Sequence, residues 1–421
     1  MEQEYKINRL ETTSLIGPMV DKHWEELRTA KEKGENVAWC SGVPFIFAYA
    51  MDMKCHFMEG YAAYCAGRNA ADRLLEIAEG SGELPDTCSY HRIQLGMVEA
   101  VKKGLPVRED VVIPVPDLMI SGRVCVEMSH YAECLYQRYN IPAVGVEMPT
   151  PYQMSDVPFL EAYVERQFRE VLIPRMEEVC GKPFNYDRMS EILSVLKKAA
   201  TIRNECWEYF KKIPSPWTLW DYGVSLAPLI YLMGKPETVP YYEKLKAELE
   251  DRVKNNISAM FPKENYRVFW DGWLPWGFMG YFIRKLAKYG ANPVSGRYPW
   301  EMFPRPDLIE PEPDPVHTFV KALYTGGMLS NNMGKPGIAL IDDLVQEYQV
   351  DGIISFTAKS CRIWKGQMTM MSKMERKYGL PGITIEADMA DAKMFSDAQI
   401  DTRLNAFFEV LEARKEKRRW V

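Results

Sequence analysis

Three cysteines lie far apart in the chain, in contexts that can support metal chemistry. They are Cys88, Cys125 and Cys361, each placed where a strand-like run gives way to a polar turn. In an α/β fold, thiols at the carboxyl ends of strands can converge, because ligands bind outside those ends. Converging thiolates can hold an iron–sulfur cluster or a zinc ion. The chain contains no CxxC pair, so spacing alone leaves open the alternative of three separate, buried and inert cysteines.

Five segments of the chain occur together in an ordered set. They are Cys-Ser-Tyr-His-Arg-Ile-Gln-Leu-Gly at 88–96, Val-Pro-Asp-Leu-Met-Ile at 115–120, Glu-Asn-Tyr-Arg-Val at 264–268, Val-Asp-Gly-Ile-Ile followed by Lys-Ser-Cys within 350–361, and Ile-Glu-Ala-Asp with Phe-Ser and Arg403 within 385–403. No single segment is specific, whereas their order, spacing and joint presence are. On these segments the chain resembles the family of 2-hydroxyacyl-CoA dehydratases and class I benzoyl-CoA reductases, from about Trp39 to about Phe408.

The resemblance implies a cofactor and a kind of chemistry. It implies that Cys88, Cys125 and Cys361 ligate a 4Fe-4S cluster, leaving one iron with a non-cysteine ligand or an open position. The family's substrate is a CoA thioester, whose carbonyl accepts one electron to give a ketyl radical anion. In the dehydratases the ketyl expels a 2-hydroxyl group, and in the reductases electrons reach an aromatic ring conjugated to the thioester. The resemblance also implies an ATP-dependent iron–sulfur activator and a smaller homologous subunit, with this chain as the larger partner of a hetero-oligomer.

The resemblance further indicates residues near the substrate. Glu59, which precedes Tyr61-Ala-Ala, is expected to supply a proton; the alternative is an acidic residue that caps a helix. His91 is expected to donate a proton or a hydrogen bond to the cluster or the substrate, although a lone histidine is more often structural. Substrate binding is expected at the residues Ser41, Gly42, Tyr61, Trp270 and Trp273.

Three features favour the reductase branch of the family. They are Lys-Ser-Cys at 359–361 followed by Gly366-Gln367, the segment Glu-Gly-Tyr-Ala-Ala at 59–63, and the lack of a serine at position 42. Dehydratases that resemble this chain tend to place Ser where Gly42 stands, although Ser41 is adjacent. The tryptophans of segment 269–276 suit a flat aromatic acyl group and exclude water from a radical; the alternative is core packing. We therefore predict a benzoyl-CoA-reductase-like oxidoreductase. The alternatives are a 2-hydroxyacyl-CoA dehydratase, which is a lyase, and a non-catalytic electron-relay subunit.

The composition indicates the compartment and argues against nucleic acid binding and a membrane span. The chain has 421 residues and a net charge of −6, which argues against nucleic acid binding because phosphate contacts need a basic surface. It has no apolar run of about 18 residues, so no membrane span is expected. The N-terminus has no apolar core typical of a signal peptide. The nine cysteines then indicate reduced thiols in a cytoplasm.

The elements that must position these residues form an α/β pattern. We predict two Rossmann-like parallel-sheet lobes with a helical insertion between them: residues 1–154, 155–262 and 263–421. The predicted strands lie at 36–41, 111–120, 143–148, 266–270, 350–356 and 381–386. The predicted helices lie within 1–33 and at 62–79, 129–139, 164–179 with a kink at Pro174, 187–211, 241–256, 276–289, 336–349, 367–378 and 398–417. Alternating strands and helices imply βαβ units.

Overall fold

The fold contains two parallel four-stranded sheets and one short antiparallel pair. The computed structural model describes residues 5–42, 45–298, 305–310, 313–325, 335–364 and 367–418. Strands are numbered along the chain: β1 Lys6–Ile7, β2 Val37–Ser41, β3 Lys54–Phe57, β4 Leu118–Arg123, β5 Ala143–Glu147, β6 Met260–Phe261, β7 Tyr266–Gly272, β8 Ala291–Ser295, β9 Gly352–Ala358 and β10 Gly382–Ala387. β1 pairs with β6 in the antiparallel ribbon. The predicted α/β class is confirmed.

The two sheets share one topology. The first has the order β3-β2-β4-β5 and the second β10-β9-β7-β8, with parallel pairing throughout. In each sheet the chain begins at a central strand, adds the next strand on one side, and then places the remaining two strands on the other side. This switch of sides lies between β2 and β4 in the first sheet and between β7 and β9 in the second. At such a switch a crevice opens at the carboxyl ends of the two strands. The fold therefore offers one crevice for each sheet.

Helices cover both sheets and fill the chain between them. They are α1 Ile16–Arg28, α2 Ile46–Ala50, α3 Met58–Gly67, α4 Ala71–Gly80, α5 Ser89–Lys103, α6 Val126–Tyr139, α7 Val157–Gln167, α8 Ile173–Cys180, α9 Tyr186–Trp207, α10 Leu219–Ser225, α11 Ala227–Tyr231, α12 Thr238–Lys254, α13 Met279–Ala287, α14 Pro315–Tyr324, α15 Lys335–Glu347, α16 Gln367–Tyr378 and α17 Asp397–Arg418. Every residue of β2, β7 and β8 is buried, as expected of parallel strands covered on both faces.

Several predicted elements differ from the structure. The single helix predicted at 62–79 is two helices, because the chain turns at Asn69, whose φ of 54° is left-handed. The strand predicted at 111–120 is confined to β4, since Pro114 and Pro116 lack the N–H that a ladder needs. The kink expected at Pro174 lies just before it, as a π-helical turn at Phe168–Leu172.

Two elements adjoining Cys88 and Glu59 were not predicted from the sequence pattern. Helix α5 begins directly after Cys88, so the prediction that Cys88 follows a strand is wrong. The element before it is helix α4. Strand β3 also went unpredicted, and it leads into α3 and Glu59. None of the helices in the described part of the chain combines the length and apolar character that a membrane span requires.

Candidate active site

Each of the three cysteines comes from a different part of the fold. Cys125 follows β4 by two residues and caps the N-terminus of α6. Cys361 follows β9 by three residues. Cys88 comes from neither crevice and caps the N-terminus of α5. Cys361 is close enough to the other two thiols to contribute to raising the pKa of each. The fold therefore brings three sequence-distant cysteines into one region.

Helix N-termini donate backbone hydrogen bonds to two of the sulfurs. The N–H groups of Tyr90 and His91 donate to Cys88, and those of Glu127 and Met128 donate to Cys125. Burial nevertheless raises the pKa of Cys88 well above its usual value and that of Cys125 to about 11. Both thiols are thus protonated at neutral pH, and a metal that binds them must displace protons. The aligned N–H groups are suited to the negative charge of a bound thiolate.

Cys361 is positioned by a network from its own loop. The indole Nε1–H of Trp273 donates to Cys361 Sγ at 3.1 Å. The preceding Ser360 donates its hydroxyl to Asp388 Oδ2 at 2.5 Å, and Asp388 Oδ1 accepts the Ala390 N–H at 3.0 Å. Asp388 is completely buried, so its hydrogen bonds fix the Cys361 loop against the end of β10.

Two contacts connect the Cys88 helix to the second sheet. The Ser89 N–H donates to Ser360 Oγ at 3.1 Å. Arg92, whose side chain is fully buried, lies 2.6 Å from a Glu79 carboxylate oxygen and 2.7 Å from one of Asp391. A buried charge is tolerated only when it is paired and hydrogen-bonded, so these contacts hold the Cys88 helix against the Cys361 loop.

The three thiols supply the kind of donor that an iron–sulfur cluster takes. Within the described residues, no group of three or more His, Cys, Asp and Glu side chains is close enough to bind one ion. All three sulfurs accept N–H hydrogen bonds, and hydrogen bonds of this kind orient cluster ligands and tune the metal.

A cavity of about 390 Å³ lies beside the cysteines. Its wall includes Val124 and Ile363, close in sequence to Cys125 and Cys361. Aromatic side chains form much of this end of the wall: Tyr90, Trp273, Trp276 and Tyr298. A mostly apolar cavity with few polar groups is the usual form of a small-molecule site.

Glu59 is the acid that faces this cavity in the described structure. Its Oε1 accepts a short hydrogen bond from the Ser41 hydroxyl, while its buried Oε2 has no hydrogen-bond partner among the described residues. Burial raises the pKa of Glu59 to about 7, against the opposing effect of bonds from Ser41 and the Gly42 N–H. A carboxyl group with a pKa near neutrality can hold a proton and release it in the working pH range.

Gly42 occupies a position where no other residue fits without rearrangement. Its φ of +57° is left-handed, and an added Cβ would lie 2.6 Å from the Gly122 carbonyl oxygen and 2.7 Å from Met128 Sδ. Gly42 also lines the cavity. Gly42 presents no hydroxyl to the cavity, and the hydroxyl of the adjacent Ser41 is bonded to Glu59.

The structure places three other expected site residues away from the cavity wall. His91 is buried, stacks on Tyr131 with ring centroids 4.7 Å apart, and has its pKa lowered by burial to about 3. Tyr61 donates its hydroxyl to the Val111 carbonyl oxygen at 2.5 Å. Trp270 is completely buried and packs against Trp220. None of the three lines the described cavity, whereas Ser41 bonds Glu59, and Gly42 and Trp273 line the cavity.

Other residues at the site were assigned no role in the sequence analysis. Tyr90 and Tyr298 line the cavity, and Asp388 and Asp391 hold the loops around it. The two aspartates could have been identified from the sequence by their position, because both lie within four residues after strand β10. No local sequence pattern identifies Tyr298, because only the folding of the chain brings it to the cavity wall.

A comparison with known protein families gives a match over most of the chain. A family model described as 2-hydroxyglutaryl-CoA dehydratase, D-component, matches residues 40–411 of the chain. That range includes all three cysteines, Glu59 and the described cavity wall except for the α1 contribution.

Alignments with individual relatives cover nearly the whole chain. The chain is 26% identical over 421 residues to the alpha subunit of lactoyl-CoA dehydratase from Anaerotignum propionicum, an alignment that covers 96% of this chain and 97% of that protein. It is 27% identical over 418 residues to the (R)-2-hydroxyisocaproyl-CoA dehydratase alpha subunit of Clostridioides difficile, covering 97% and 98% respectively. It is also 27% identical over 413 residues to one subunit of the benzoyl-CoA reductase of Thauera aromatica, covering 94% of each chain.

Proposed function

Because the chain belongs to the 2-hydroxyglutaryl-CoA dehydratase D-component family, we propose that it is the iron–sulfur subunit of a radical enzyme that acts on acyl-CoA thioesters. The observation that carries this proposal is the cavity wall, on which Glu59 lies together with residues close in sequence to Cys125 and Cys361. Cys88, Cys125 and Cys361 would hold a 4Fe-4S cluster. Such a cluster supplies single electrons at low potential to a thioester carbonyl.

The chain's own residues prepare the cavity for that chemistry. The aromatic wall excludes water, which would quench a radical by protonation. Glu59 holds a proton whose release is controlled by burial and by the Ser41 hydrogen bond. The Trp273 indole both lines the cavity and donates to Cys361 Sγ, so the acyl group and the cluster ligand share one wall residue.

We propose that the acyl group is aromatic and that the reaction is a benzoyl-CoA-reductase-like reduction. Tyr90, Trp273, Trp276 and Tyr298 offer flat apolar surfaces to a ring. Gly42 leaves the cavity without the hydroxyl that dehydratases tend to place there. One relative is named as a benzoyl-CoA reductase subunit.

A 2-hydroxyacyl-CoA dehydratase is the second candidate, and a specific contact favours it. The Ser41 hydroxyl already bonds Glu59, so a serine adjacent to position 42 is coupled to the acid of the cavity. Two of the relatives described above are named as dehydratase alpha subunits. A non-catalytic electron-relay subunit is the remaining alternative.

The relatives' names also support the proposed partners. Each is named as one subunit of a dehydratase or a reductase, which supports a hetero-oligomer with another subunit. We propose that this other subunit is smaller and homologous, and that an ATP-dependent iron–sulfur activator supplies the electrons. A reducing cytoplasm is the compartment that suits a chain with nine cysteines and such a cluster.

The test is an anoxic assay of the assembled enzyme with activator and ATP. Benzoyl-CoA and an (R)-2-hydroxyacyl-CoA are offered separately, and products are identified by mass. Ring reduction of benzoyl-CoA is the expected result, and omission of ATP should abolish it. Water loss from the 2-hydroxyacyl-CoA alone would replace the reductase with the dehydratase. Turnover that survives mutation of all three cysteines in this chain would contradict the proposal.

A further inference from the structure

The cavity has a second end, away from the cysteines, where it reaches the protein surface. Gly17 of α1 and Gly67 of α3 both line it. A Cβ added at either glycine would meet no atom within 4 Å, so both border open space. Arg68, the next residue, also lines the cavity and is exposed. The cavity therefore opens to solvent between α1 and the C-terminal end of α3.

One face of α3 lines the cavity from the first turn of the helix to its last residue. Its lining residues are Glu59, Gly60, Ala63, Tyr64 and Gly67, followed by Arg68. These positions recur at intervals of about four, as expected for one stripe on a helix. Glu59 and Arg68 are nine residues apart, which corresponds to about 13 Å along the helix axis. A carboxyl group with an unpartnered oxygen thus lies at the inner end, and a cation lies at the mouth.

The cation at the mouth is held loosely enough to bind a ligand. Arg68 Nη2 lies 2.6 Å from Asp21 Oδ1, and both side chains are about half exposed. The guanidinium carbon lies 5.1 Å from the centroid of the Tyr64 ring, which places it over the cavity wall. An exposed ion pair of this kind contributes little stability, and a phosphate can replace the carboxylate as a bidentate partner of arginine.

We propose that Arg68 binds a phosphate of the substrate's CoA at this mouth, and that the small residues Ala63 and Gly67 of α3 leave room for the slender pantetheine arm leading to Glu59. The proposal rests on the proposed function, because that function supplies the acyl-CoA substrate. It assigns a direction to the substrate: the acyl group lies at the cysteine end and the nucleotide lies at the surface between α1 and α3. Arg68 is a binding residue here and takes no part in the chemical step.

Binding of two probes to the intact anoxic protein tests the assignment. Free CoA carries the phosphates, whereas pantetheine lacks them. Arg68→Gln should weaken CoA binding by about tenfold, the scale of a charge-assisted hydrogen bond, and should leave pantetheine binding unchanged. Asp21→Asn removes the competing carboxylate and should strengthen CoA binding. Arg73→Gln is the matched control, since Arg73 is similarly exposed, pairs with Glu76 and lies outside the described cavity wall.

The outcomes separate this assignment from the proposed function. Arg68→Gln with CoA affinity within about a factor of two of wild type would overturn the assignment, even if the enzyme turns over acyl-CoA. Equal weakening of CoA and pantetheine would also overturn it, because the loss would then be structural. A wild-type protein that binds no CoA would do the same. CoA binding that depends on Arg68 in a protein without acyl-CoA turnover would leave the assignment standing while the proposed function fails.

Discussion

At the scale of single residues, the proposed chemistry depends on the protonation of Glu59. Its pKa of about 7 lies above the usual value of 4.5 because burial disfavours the carboxylate. Below that pH the side chain is neutral and can donate a proton, and above it the side chain ionises. The proposed role of Glu59 as a proton donor predicts that turnover falls as pH rises through about 7.

Glu59→Gln keeps the shape of the side chain and removes the proton. We expect turnover to fall about a hundredfold or more, the usual scale for loss of general acid–base catalysis, with iron content unchanged. The decline in rate above about pH 7 should disappear in the variant. Steady-state assays across pH 5.5–9 (a window of about three units around neutrality) provide the measurement. Turnover within a factor of about three of wild type would remove Glu59 from the mechanism.

Trp273 connects the cavity to the proposed cluster through one hydrogen bond. Its Nε1–H donates to Cys361 Sγ at 3.1 Å, and a donor to a ligand sulfur stabilises the more negative, reduced state. Trp273→Phe keeps an aromatic wall and removes the donor. We expect the cluster's midpoint potential to become more negative, as measured by an anoxic redox titration. An unchanged or higher potential would show that this contact does not tune the cluster.

At the scale of elements, the sequence predicted strands better than the helix that carries Cys88. β2, β5, β7, β9 and β10 follow from apolar runs bounded by turn residues. Helix α5 escaped prediction because residues 89–100 are all buried. A helix buried on every side lacks the alternation of apolar and polar faces that identifies a surface helix.

The candidate site was also only partly predictable from the sequence. The contexts of Cys88, Cys125 and Cys361 were recognisable in the sequence, because each lies in a short local segment. The cavity was not, since its wall combines α1, α3 and loops after β4, β7 and β9. Trp270 and Trp273 illustrate the difference, because only the fold decides that Trp273 faces the cavity and Trp270 the core. The predicted domain boundaries at 154 and 262 stay a prediction.

Helix α5 is held to the loop after β10 by a buried cation. Arg92 is fully buried between Glu79 and Asp391, so Arg92→Ala leaves a buried carboxylate without its partner. We expect a loss of about 3 kcal/mol or more in the free energy of unfolding, measured by chemical denaturation of the metal-free protein. Arg123→Ala is the control: Arg123 and Glu147 form an exposed pair, worth less than about 1 kcal/mol. Equal losses in the two variants would contradict the role of Arg92.

At the scale of the whole molecule, the relatives' names point to assembly with a second subunit. Relatives that align over nearly the full chain are named as one subunit of a larger enzyme. We expect coexpression with a smaller homologous subunit to give a stable complex in size-exclusion chromatography, and turnover to require that complex. A stable homomer that is active alone would contradict this prediction.

The proposed cluster rests on the convergence of three cysteines from three separate elements. Cys206 offers a matched control, because it is completely buried but lies in α9, outside the described cavity wall. A serine at a ligand position removes a thiolate that the cluster needs, whereas a serine at position 206 leaves every proposed ligand in place.

The most direct test is therefore iron content, together with the electron paramagnetic resonance spectrum, of single cysteine variants purified without oxygen. Cys88→Ser, Cys125→Ser and Cys361→Ser should each lose most of the iron and the reduced-cluster signal, while Cys206→Ser should match wild type. Full iron content and an unchanged signal in all three variants would contradict the account.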